Sequence, residues 1–474
     1  MIHIRNNDIQ LDVSSTKLFP FRNATAFLAD GHERTISYQQ GKWDGYKYIV
    51  DHNGMMLGGH LPKVFAYMRG ESITDHRVLP DGIYEWAKYL PNKLGRYTLT
   101  EFQREAFLSM CPTIGENTLF PRGIVGMATN GGKSLVMAAA VSALKKIKPN
   151  IRILIMFTQV ELLDQMSDLF NELYIWHDVL LSDADMTRRK IKTDLTECKI
   201  LLAMSPTLYG KMADFGIYVE DYEAVMVDEC HLAAAPTINK ILTTCTAWAR
   251  WGFSGTPFDG KSDEQINTLV SQFGPILYTV KNRTLIDAGI SAEPTVYSID
   301  YTFFGHFITH QDGLKVLINS LERNMIAYKW IKKNPNKRYL VVVELIEHID
   351  VLMELLQEFD PLPMHAELSR KVRADNLQKF KDNECKVLIA NGTAKHGLNV
   401  KDINCIIYLR AGKSPVWLNQ IIGRGLRLKT QGEQEFDVVD PYDNIHIFRQ
   451  QSDARIALYN SEGYTIKRLK FELI

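Results

Sequence analysis

The sequence predicts an α/β protein with two successive parallel-sheet domains, preceded by a small α+β domain. From about residue 93, continuous apolar runs such as "IRILIMF" and "EAVMVDE" alternate with longer helical segments, which is typical of strands buried on both faces of a parallel sheet. The same rhythm resumes after about residue 295 with "YLVVVE" and "NCIIYL". We therefore expect domains at residues 1–92, 93–292 and 293–474.

Short alternating runs and turn residues predict the small first domain. "HIRNNDIQLDV" indicates two strands around a polar turn, and "LPKVFAYMRG" and "DGIYEWAKYL" indicate short helices. Asp44-Gly45 is typical of a tight hairpin turn between strands. The side chains of Trp43, Tyr46 and Tyr48 suit stacking on bases, but a small domain depends on its large apolar residues, so we expect Trp43 to fill the core.

The composition argues against several classes of protein. Lys plus Arg and Asp plus Glu each number 55, so the formal net charge is zero, and a nucleic-acid partner would have to be met by local donors. The six cysteines form no C-x-x-C pair, which argues against a zinc site or a disulfide framework. The N-terminus "MIHIRNNDIQ" is too polar for a signal peptide, and the longest apolar run, "VMAAAVSAL", is too short to span a membrane. We expect a cytoplasmic protein without a membrane partner.

A glycine-rich loop stands between a predicted strand and a predicted helix in the second domain. This loop, "GMATNGGKSL", occupies Gly126–Leu135. In such a context, backbone N–H groups and the helix N-terminus bind phosphate. The pattern predicts that Lys133 reaches the β- and γ-phosphates of a nucleotide and that Ser134 ligates Mg²⁺. Met127 and Asn130 depart from the strict glycine pattern, but asparagine tolerates the left-handed backbone of such turns.

Two further motifs supply groups that nucleotide hydrolysis needs. The apolar strand in "AVMVDECH" ends in Asp228 and Glu229, of which the first suits Mg²⁺ and the second the activation of water. In "LNQIIGRGLRLK", Arg424 and Arg427 lie one helical turn apart, which suits stabilisation of charge on a γ-phosphate. Alone, these motifs also fit an acidic loop and a solvated basic helix. Their order along the chain predicts an ATP cleft between two lobes.

The order of the motifs resembles that of superfamily 2 helicases. "DECH" resembles the Asp-Glu-x-His box, "FSGTP" the coupling motif, "QIIGRGLR" the arginine-finger motif, and "YTLTEFQREAF" the element whose glutamine reads adenine. In the first domain, "GKWDG" further resembles the phage UvsW-type helicases, which remodel branched DNA. The resemblance covers about residues 97–440 and implies two tandem RecA-like domains of the P-loop NTPase fold.

The resemblance also implies roles for individual residues. The nucleotide would be held by Gln103, Thr129, Asn130, Gly131, Gly132, Lys133 and Ser134. Catalytic roles fall to Lys133, Asp228, Glu229, Arg424 and Arg427, with Mg²⁺ on Ser134 and Asp228. Nucleotide state would be coupled to nucleic acid by His231, Ser254, Thr256 and Gln420. Nucleic acid would be contacted by Thr158, Ser205, Thr207, Asn391, Gly392 and Thr393.

The candidate nucleic-acid contacts are mostly small hydroxyl and backbone donors, which suit phosphate contacts that carry no sequence information. Besides Met127 and Asn130 in the glycine loop, where the family tolerates residues other than glycine, two positions depart from the family pattern. Asn391 stands where the family usually has threonine, and Asn399 stands where it usually has aspartate. Asn391 still offers a donor for a phosphate, whereas Asn399 lacks a negative charge near the edge of the nucleotide.

The resemblance implies an ATP- and Mg²⁺-dependent DNA helicase or translocase that acts on forks, displacement loops or four-way junctions. The implied direction is 3′ to 5′, and we expect a monomer on DNA, in the host cytoplasm if the chain is phage-encoded. An RNA helicase and the motor of a restriction system remain alternatives. A non-catalytic ATP-gated clamp is another, although Lys133, Asp228, Glu229 and Arg424 argue against it.

Overall fold

The computed structural model of the chain contains two compact units. The first takes residues 1–127 and 131–280, and the second takes residues 128–130 together with 281–474. Among the residues that the structure describes, no helix has both the length and the apolarity that crossing a bilayer requires. The described residues are 1–115, 117–193, 197–215, 219–303, 309–391, 403–411, 418, 421–423 and 436–473.

A four-stranded mixed sheet organises the N-terminal region. Its first strand pairs antiparallel with the second, which confirms the predicted two-strand turn, and parallel with the sixth. The helix expected in "LPKVFAYMRG" is present, whereas "DGIYEWAKYL" forms a 3-10 helix at Asp81–Tyr89. The other elements are β1 (Ile2–Ile4), β2 (Asp8–Leu11), α1 (Ser15–Ala24), β3 (Phe27–Leu28), α2 (Ile36–Gln39), β4 (Tyr46–Lys47), β5 (Met55–Leu57), α3 (Leu61–Tyr67), β6 (Ile73–Asp75), β7 (Lys93–Leu94) and β8 (Tyr97–Thr98).

The prediction of a β-hairpin around Asp44-Gly45 is wrong. The residues before the turn form the short helix α2 instead of a strand, and the hydroxyl of Thr35 caps it by accepting the backbone N–H of Tyr38. Gly45 has a left-handed φ of 84°, as a tight turn requires. However, β4 after the turn pairs with β3, which lies further back in the chain. A local cap therefore prevails over the strand pattern at this position.

Trp43 does not fill the core of the N-terminal region, contrary to our expectation. Its side chain is only partly buried, and its indole N–H donates to the backbone carbonyl of Tyr46 at 2.9 Å. Smaller aliphatic residues build that core, among them Ile9, Val50 and Val64, each of which is fully buried. Trp43 therefore stabilises the turn that carries it, and the stacking role remains a prediction.

A seven-stranded parallel sheet follows in the first unit, as the sequence predicts. Its elements are α4 (Glu101–Ser109), β9 (Thr113–Ile114), β10 (Thr118–Leu119), β11 (Arg122–Met127), α5 (Lys133–Ile147), β12 (Ile153–Phe157), α6 (Val160–Glu172), β13 (Asp178–Leu180), α7 (Asp183–Arg189), β14 (Ile200–Met204), α8 (Ser205–Phe215), β15 (Ala224–Asp228), α9 (Pro236–Thr244), β16 (Ala249–Ser254), α10 (Asp263–Phe273) and β17 (Ile276–Val280). The strand order is β13-β14-β12-β15-β16-β11-β17, and the inner strands are buried on both faces. β9 and β10 form a separate two-stranded ribbon.

The second unit repeats the architecture, again as predicted. Its elements are α11 (Asn282–Asp287), β18 (Pro294–Asp300), α12 (His310–Ile318), α13 (Leu321–Lys333), β19 (Tyr339–Val342), α14 (Ile346–Leu355), β20 (Leu362–Met364), α15 (Arg370–Lys381), β21 (Val387–Ala390), β22 (Cys405–Tyr408), β23 (Phe436–Tyr442), α16 (His446–Ser461) and β24 (Thr465–Lys470). The strand order is β20-β21-β19-β22-β23-β18-β24, with all neighbouring pairs parallel. The two sheets give the tandem parallel-sheet fold expected of RecA-like domains.

The N-terminal region packs directly on α10 of the first unit. Gly59 lies so close to this helix that an added Cβ would overlap the backbone carbonyl oxygen of Val270. Beside it, Nε2 of the fully buried His60 is 2.7 Å from the hydroxyl of Ser271. Burial, reinforced by the charge of Lys63, lowers the pKa of His60 to about 3. The interface between the N-terminal region and α10, here called the seam, therefore contains a neutral, buried histidine.

We expect His60 to make the first unit less stable in mild acid. Below its ordinary pKa of 6.5, the unfolded chain takes up a proton that the folded chain excludes until about pH 3. Stability is therefore lost as the pH falls through that window, at up to about 1.4 kcal/mol per pH unit. His60→Gln should lose about 2 kcal/mol less unfolding free energy than the parent between pH 7 and pH 5 in urea titrations. The exposed His76→Gln is the control, and equal pH dependence in all three proteins would contradict the assignment.

Candidate nucleotide site

The predicted site residues of the first unit lie along one edge of its sheet. In a parallel sheet, the loops that follow the carboxyl ends of neighbouring strands converge. β16 lies between β11 and β15, and the register pairs Gly126 with Ser254 and Asp228 with Phe253. The glycine loop, the acidic pair and the "FSGTP" motif therefore come together, although they are far apart in the sequence.

The glycine loop has the backbone that its sequence requires. Asn130 has a φ of 71° and Gly132 a φ of 81°, so both lie in the left-handed region. This confirms that Asn130 is tolerated because of its backbone preference. Lys133 is the first residue of the 15-residue helix α5, and the positive end of that helix faces the loop. Thr129 and Gly131 complete the loop, which joins a buried strand to a long helix as a phosphate site does.

Gln103 lies against the glycine loop and caps its own helix. Its Oε1 accepts the backbone N–H of Thr100 at 3.0 Å, and its Nε2 donates to the carbonyl of Gly131 at 3.2 Å. Thr100 and Gln103 form a capping box at the start of α4. Our sequence reading missed Thr100, although its T-x-x-Q spacing is a known helix-start signal. The contact with adenine stays a prediction, whereas the contact with the loop is observed.

The acidic pair lies where β15 ends, with Asp228 as its last residue and Glu229 on a strained turn after it. Asp228 is buried, and its Oδ1 accepts the backbone N–H of Glu229 at 3.0 Å. Glu229 has a φ of 51°, a left-handed conformation that is uncommon for residues other than glycine and that often occurs at functional sites. Oε1 of Glu229 lies 3.5 Å from Nζ of Lys133. The turn therefore directs this carboxylate toward the lysine of the glycine loop.

The charged side chains of the site shift one another's pKa values. Burial alone would lower the pKa of Lys133, but the charges of Glu229 and Asp228 hold it above its ordinary value. Burial raises the pKa of Asp228. Burial acts on Glu229 in the same sense, but Lys133 together with a hydrogen bond from His231 lowers its pKa. Glu229 is therefore the carboxylate that stays ionised beside an ammonium group.

A chain of polar contacts leads from Glu229 to the "FSGTP" motif. Nδ1 of the buried His231 lies 3.2 Å from Oε2 of Glu229 and 3.0 Å from Oγ of Ser254. The same Oγ accepts the backbone N–H of Thr256 at 3.2 Å. A change at the carboxylate can thus reach the loop after β16 through one imidazole ring, as the coupling prediction requires.

The side chains fit a magnesium ion that is shared with a nucleotide. Asp228 offers a carboxylate at a strand end, and Ser134 offers an exposed hydroxyl in the first turn of α5. These are the hard oxygen ligands that Mg²⁺ takes, usually together with phosphate and water. Within the described part of the chain, no three His, Cys, Asp or Glu side chains group as a metal site. Phosphate and solvent would supply further ligands when the ion is bound with a nucleotide.

The predicted nucleic-acid contacts differ in how their side chains are placed. Thr158 follows β12, and its buried hydroxyl has no hydrogen-bond partner among the described residues. Ser205 is also buried, but its hydroxyl donates to the carbonyl of Phe157 at 3.0 Å. Thr207 is partly exposed in the first turn of α8, and Asn391 follows β21 in the second unit. Ser205 thus joins two strand ends in this conformation, whereas the hydroxyl of Thr158 has no partner within the described residues.

Several predicted residues lie outside the described part of the chain, so their roles stay predictions. These are Gly392, Thr393, Asn399, Gln420, Arg424 and Arg427.

Two protein-family models match the chain, one in each unit. "Type III restriction enzyme, res subunit" matches residues 96–259, and "Helicase conserved C-terminal domain" matches residues 317–429. The first match contains the glycine loop, the acidic pair and the "FSGTP" motif. The second contains the residues predicted to supply the arginine pair.

Individual proteins of known identity also resemble the chain. "ATP-dependent DNA helicase uvsW" of Enterobacteria phage T4 is 23% identical over 448 residues, which cover 88% of this chain and 86% of the relative. A fragment described as an HsdR subunit of a Vibrio vulnificus type I restriction enzyme is 17% identical, with a TM-score of 0.57 over 74% of this chain and 65% of that chain. Dbp5 of S. cerevisiae, solved with RNA and ADP BeF3, is 11% identical, with a TM-score of 0.53 over 83% and 94% of the two chains. The two solved structures show a shared fold.

We expect Gly132→Ala to weaken nucleotide binding. The added methyl group would overlap the side-chain amide of Gln103, and alanine would be forced to a φ of 81°. Strain of this kind should lower the affinity for a fluorescent ATP analogue by at least about tenfold. Gly210→Ala, where the added Cβ meets no atom within 4 Å, is the control. Unchanged affinity in Gly132→Ala would show that nucleotide does not bind at this loop.

Proposed function

We propose that this chain, an ATP-dependent helicase, is a superfamily 2 motor that uses ATP hydrolysis to move along DNA and to remodel branched structures such as forks, displacement loops and four-way junctions. The proposed direction is 3′ to 5′. The phage T4 relative is an ATP-dependent DNA helicase by name, which supports DNA as the substrate.

One observation carries the proposal, namely that Glu229 contacts the lysine of the glycine loop and is linked to the coupling motif through His231. On one side it faces Lys133, and on the other it reaches Ser254 through His231. A protein that only bound nucleotide would gain nothing from this second connection. A motor needs it, because the presence or loss of a γ-phosphate has to alter a distant binding surface.

Each residue has a physical task in the proposed hydrolysis. The N-terminus of α5 and Lys133 hold the phosphates, and Lys133 exchanges part of its contact with Glu229 for phosphate oxygen. Glu229 accepts the proton of the water that attacks the γ-phosphorus, while the bond from that phosphorus to the β-phosphate oxygen breaks. Mg²⁺, when bound at Ser134 and Asp228, supplies positive charge for the β- and γ-phosphates. His231 and Ser254 then respond to the altered contacts of Glu229.

Nucleic acid is proposed to lie on the same edge of the sheet as the nucleotide. Thr158 offers a hydroxyl without a partner among the described residues, and Thr207 lies in the first turn of a helix, where backbone N–H groups are available. Contacts of this kind recognise phosphate and sugar rather than sequence. They suit a motor that passes over any base, and they need no strongly basic surface.

We expect Glu229→Gln to bind ATP and to hydrolyse it poorly. The amide has almost the same shape but accepts a proton far less readily, so hydrolysis should fall by at least about 100-fold. ATP affinity should stay close to that of the parent. Glu223→Gln is the matched control, because Glu223 directly precedes the amino end of the same strand, β15. Hydrolysis at the parent rate by Glu229→Gln would rule out this mechanism.

A substrate panel tests the choice of nucleic acid. ATP hydrolysis and strand displacement are measured with single strands, forks and four-way junctions, each made of DNA and of RNA. The proposal expects the strongest response to branched DNA. Stimulation by RNA alone would make the chain an RNA helicase, and hydrolysis indifferent to every nucleic acid would remove the motor function.

A further inference from the structure

The N-terminal region holds the first turn of α10 through two residues. The hydroxyl of Ser262, which caps the helix, donates to the carboxylate of Asp30 at 2.6 Å. The backbone N–H of Asp30 donates in turn to the carboxylate of Glu264 at 2.7 Å. Lys47 forms an ion pair with the same carboxylate. Three groups of the N-terminal region thus meet the start of one helix of the first unit.

The same region also holds the last turn of α10. The close approach of Gly59 to Val270 and the contact of His60 with Ser271 are at that end. In addition, the side-chain amide of Asn7 donates to the carbonyl of Thr243, at the end of the neighbouring helix α9. Contacts at both ends of α10 prevent it from pivoting against the N-terminal region.

The held end of α10 directly continues the coupling motif. Only residues 257–261 separate Thr256 from the cap at Ser262. This connection is itself compact, because the backbone N–H of Lys261 donates to the carbonyl of Phe258 at 3.1 Å, and Phe258 packs against the core of the first unit. A displacement of Thr256 is therefore transmitted to the start of α10 through a short, compact connection.

We infer that Asp30 and Lys47 are positioning residues for the coupling of ATP hydrolysis to strand displacement. They hold the end of the "FSGTP" loop that leads into α10 against the N-terminal region. When the loop moves with the nucleotide state, the N-terminal region therefore moves with it. Without them the loop and the start of α10 absorb the movement. This inference rests on the proposed function. The N-terminal region thereby takes part in the movement that ATP hydrolysis drives.

If the ion pair of Lys47 with Glu264 served only to stabilise the fold, its loss would have no specific effect on coupling. Lys47 is 50% exposed and Glu264 24% exposed, so the pair adds little to stability. The chain contains a matched pair, Lys17 with Glu71, with exposures of 55% and 17%, which lies wholly within the N-terminal region. If only folding matters, removing either lysine should have the same small effect.

The experiment compares Lys47→Met with Lys17→Met in the full-length chain. Strand displacement and ATP hydrolysis are followed on the same forked DNA, which gives the number of base pairs displaced per ATP. Lys47→Met should lower that number by about two- to fivefold, a size consistent with the loss of one exposed pair. Its KM for ATP and its melting temperature should match those of Lys17→Met. Lys47→Arg should restore most of the loss, and Asp30→Ala should reproduce it.

The outcomes separate the inference from the function on which it rests. Equal base pairs per ATP in Lys47→Met and Lys17→Met would overturn the positioning role, as would a change only in melting temperature. A parent protein that displaces no strand from forked DNA would instead overturn the proposed function, and the inference would fall with it. A displacement defect that Lys47→Arg fails to restore would also count against the inference, because that variant keeps the charge.

Discussion

A largely buried lysine beside two carboxylates is the interaction on which the candidate site depends. Removing such charges from water is costly, and the cost is offset only where opposite charges and hydrogen bonds are held in fixed positions. Here Lys133 stands at the start of α5, Asp228 ends β15, and Glu229 follows on a left-handed turn. The parallel sheet fixes all three, because the loops after its neighbouring strands meet at one edge.

The same arrangement explains why the placement of these three residues was predictable from sequence. A strand, a glycine turn and a helix specify one backbone, and Asn130 adopts the left-handed angle that its residue type suggested. The acidic pair was recognisable because it ends an apolar run. Gln103 was identified, but its observed contact with Gly131 was not foreseen, since that contact depends on how α4 packs beside the loop.

The N-terminal region shows where local patterns fail. Asp44-Gly45 has the composition of a hairpin turn. However, Thr35 caps the helix α2 before it, and β4 after it pairs with β3, which precedes α2 in the chain. The seam with α10 was not predictable at all, because Asp30 and Ser262 are 232 residues apart and each is an ordinary polar residue in its own segment. Only the tertiary fold brings these groups together, whereas the glycine loop is encoded within ten consecutive residues.

The imidazole of His231 links Glu229 to Ser254 of the coupling motif, and its removal tests the account most directly. The measurement is the rate of ATP hydrolysis by His231→Ala with and without single-stranded DNA, beside the parent. The account predicts an unstimulated rate within about threefold of the parent and the loss of most of the stimulation, since the link between the sites is a coupling free energy rather than a catalytic group. Stimulation equal to that of the parent would contradict it.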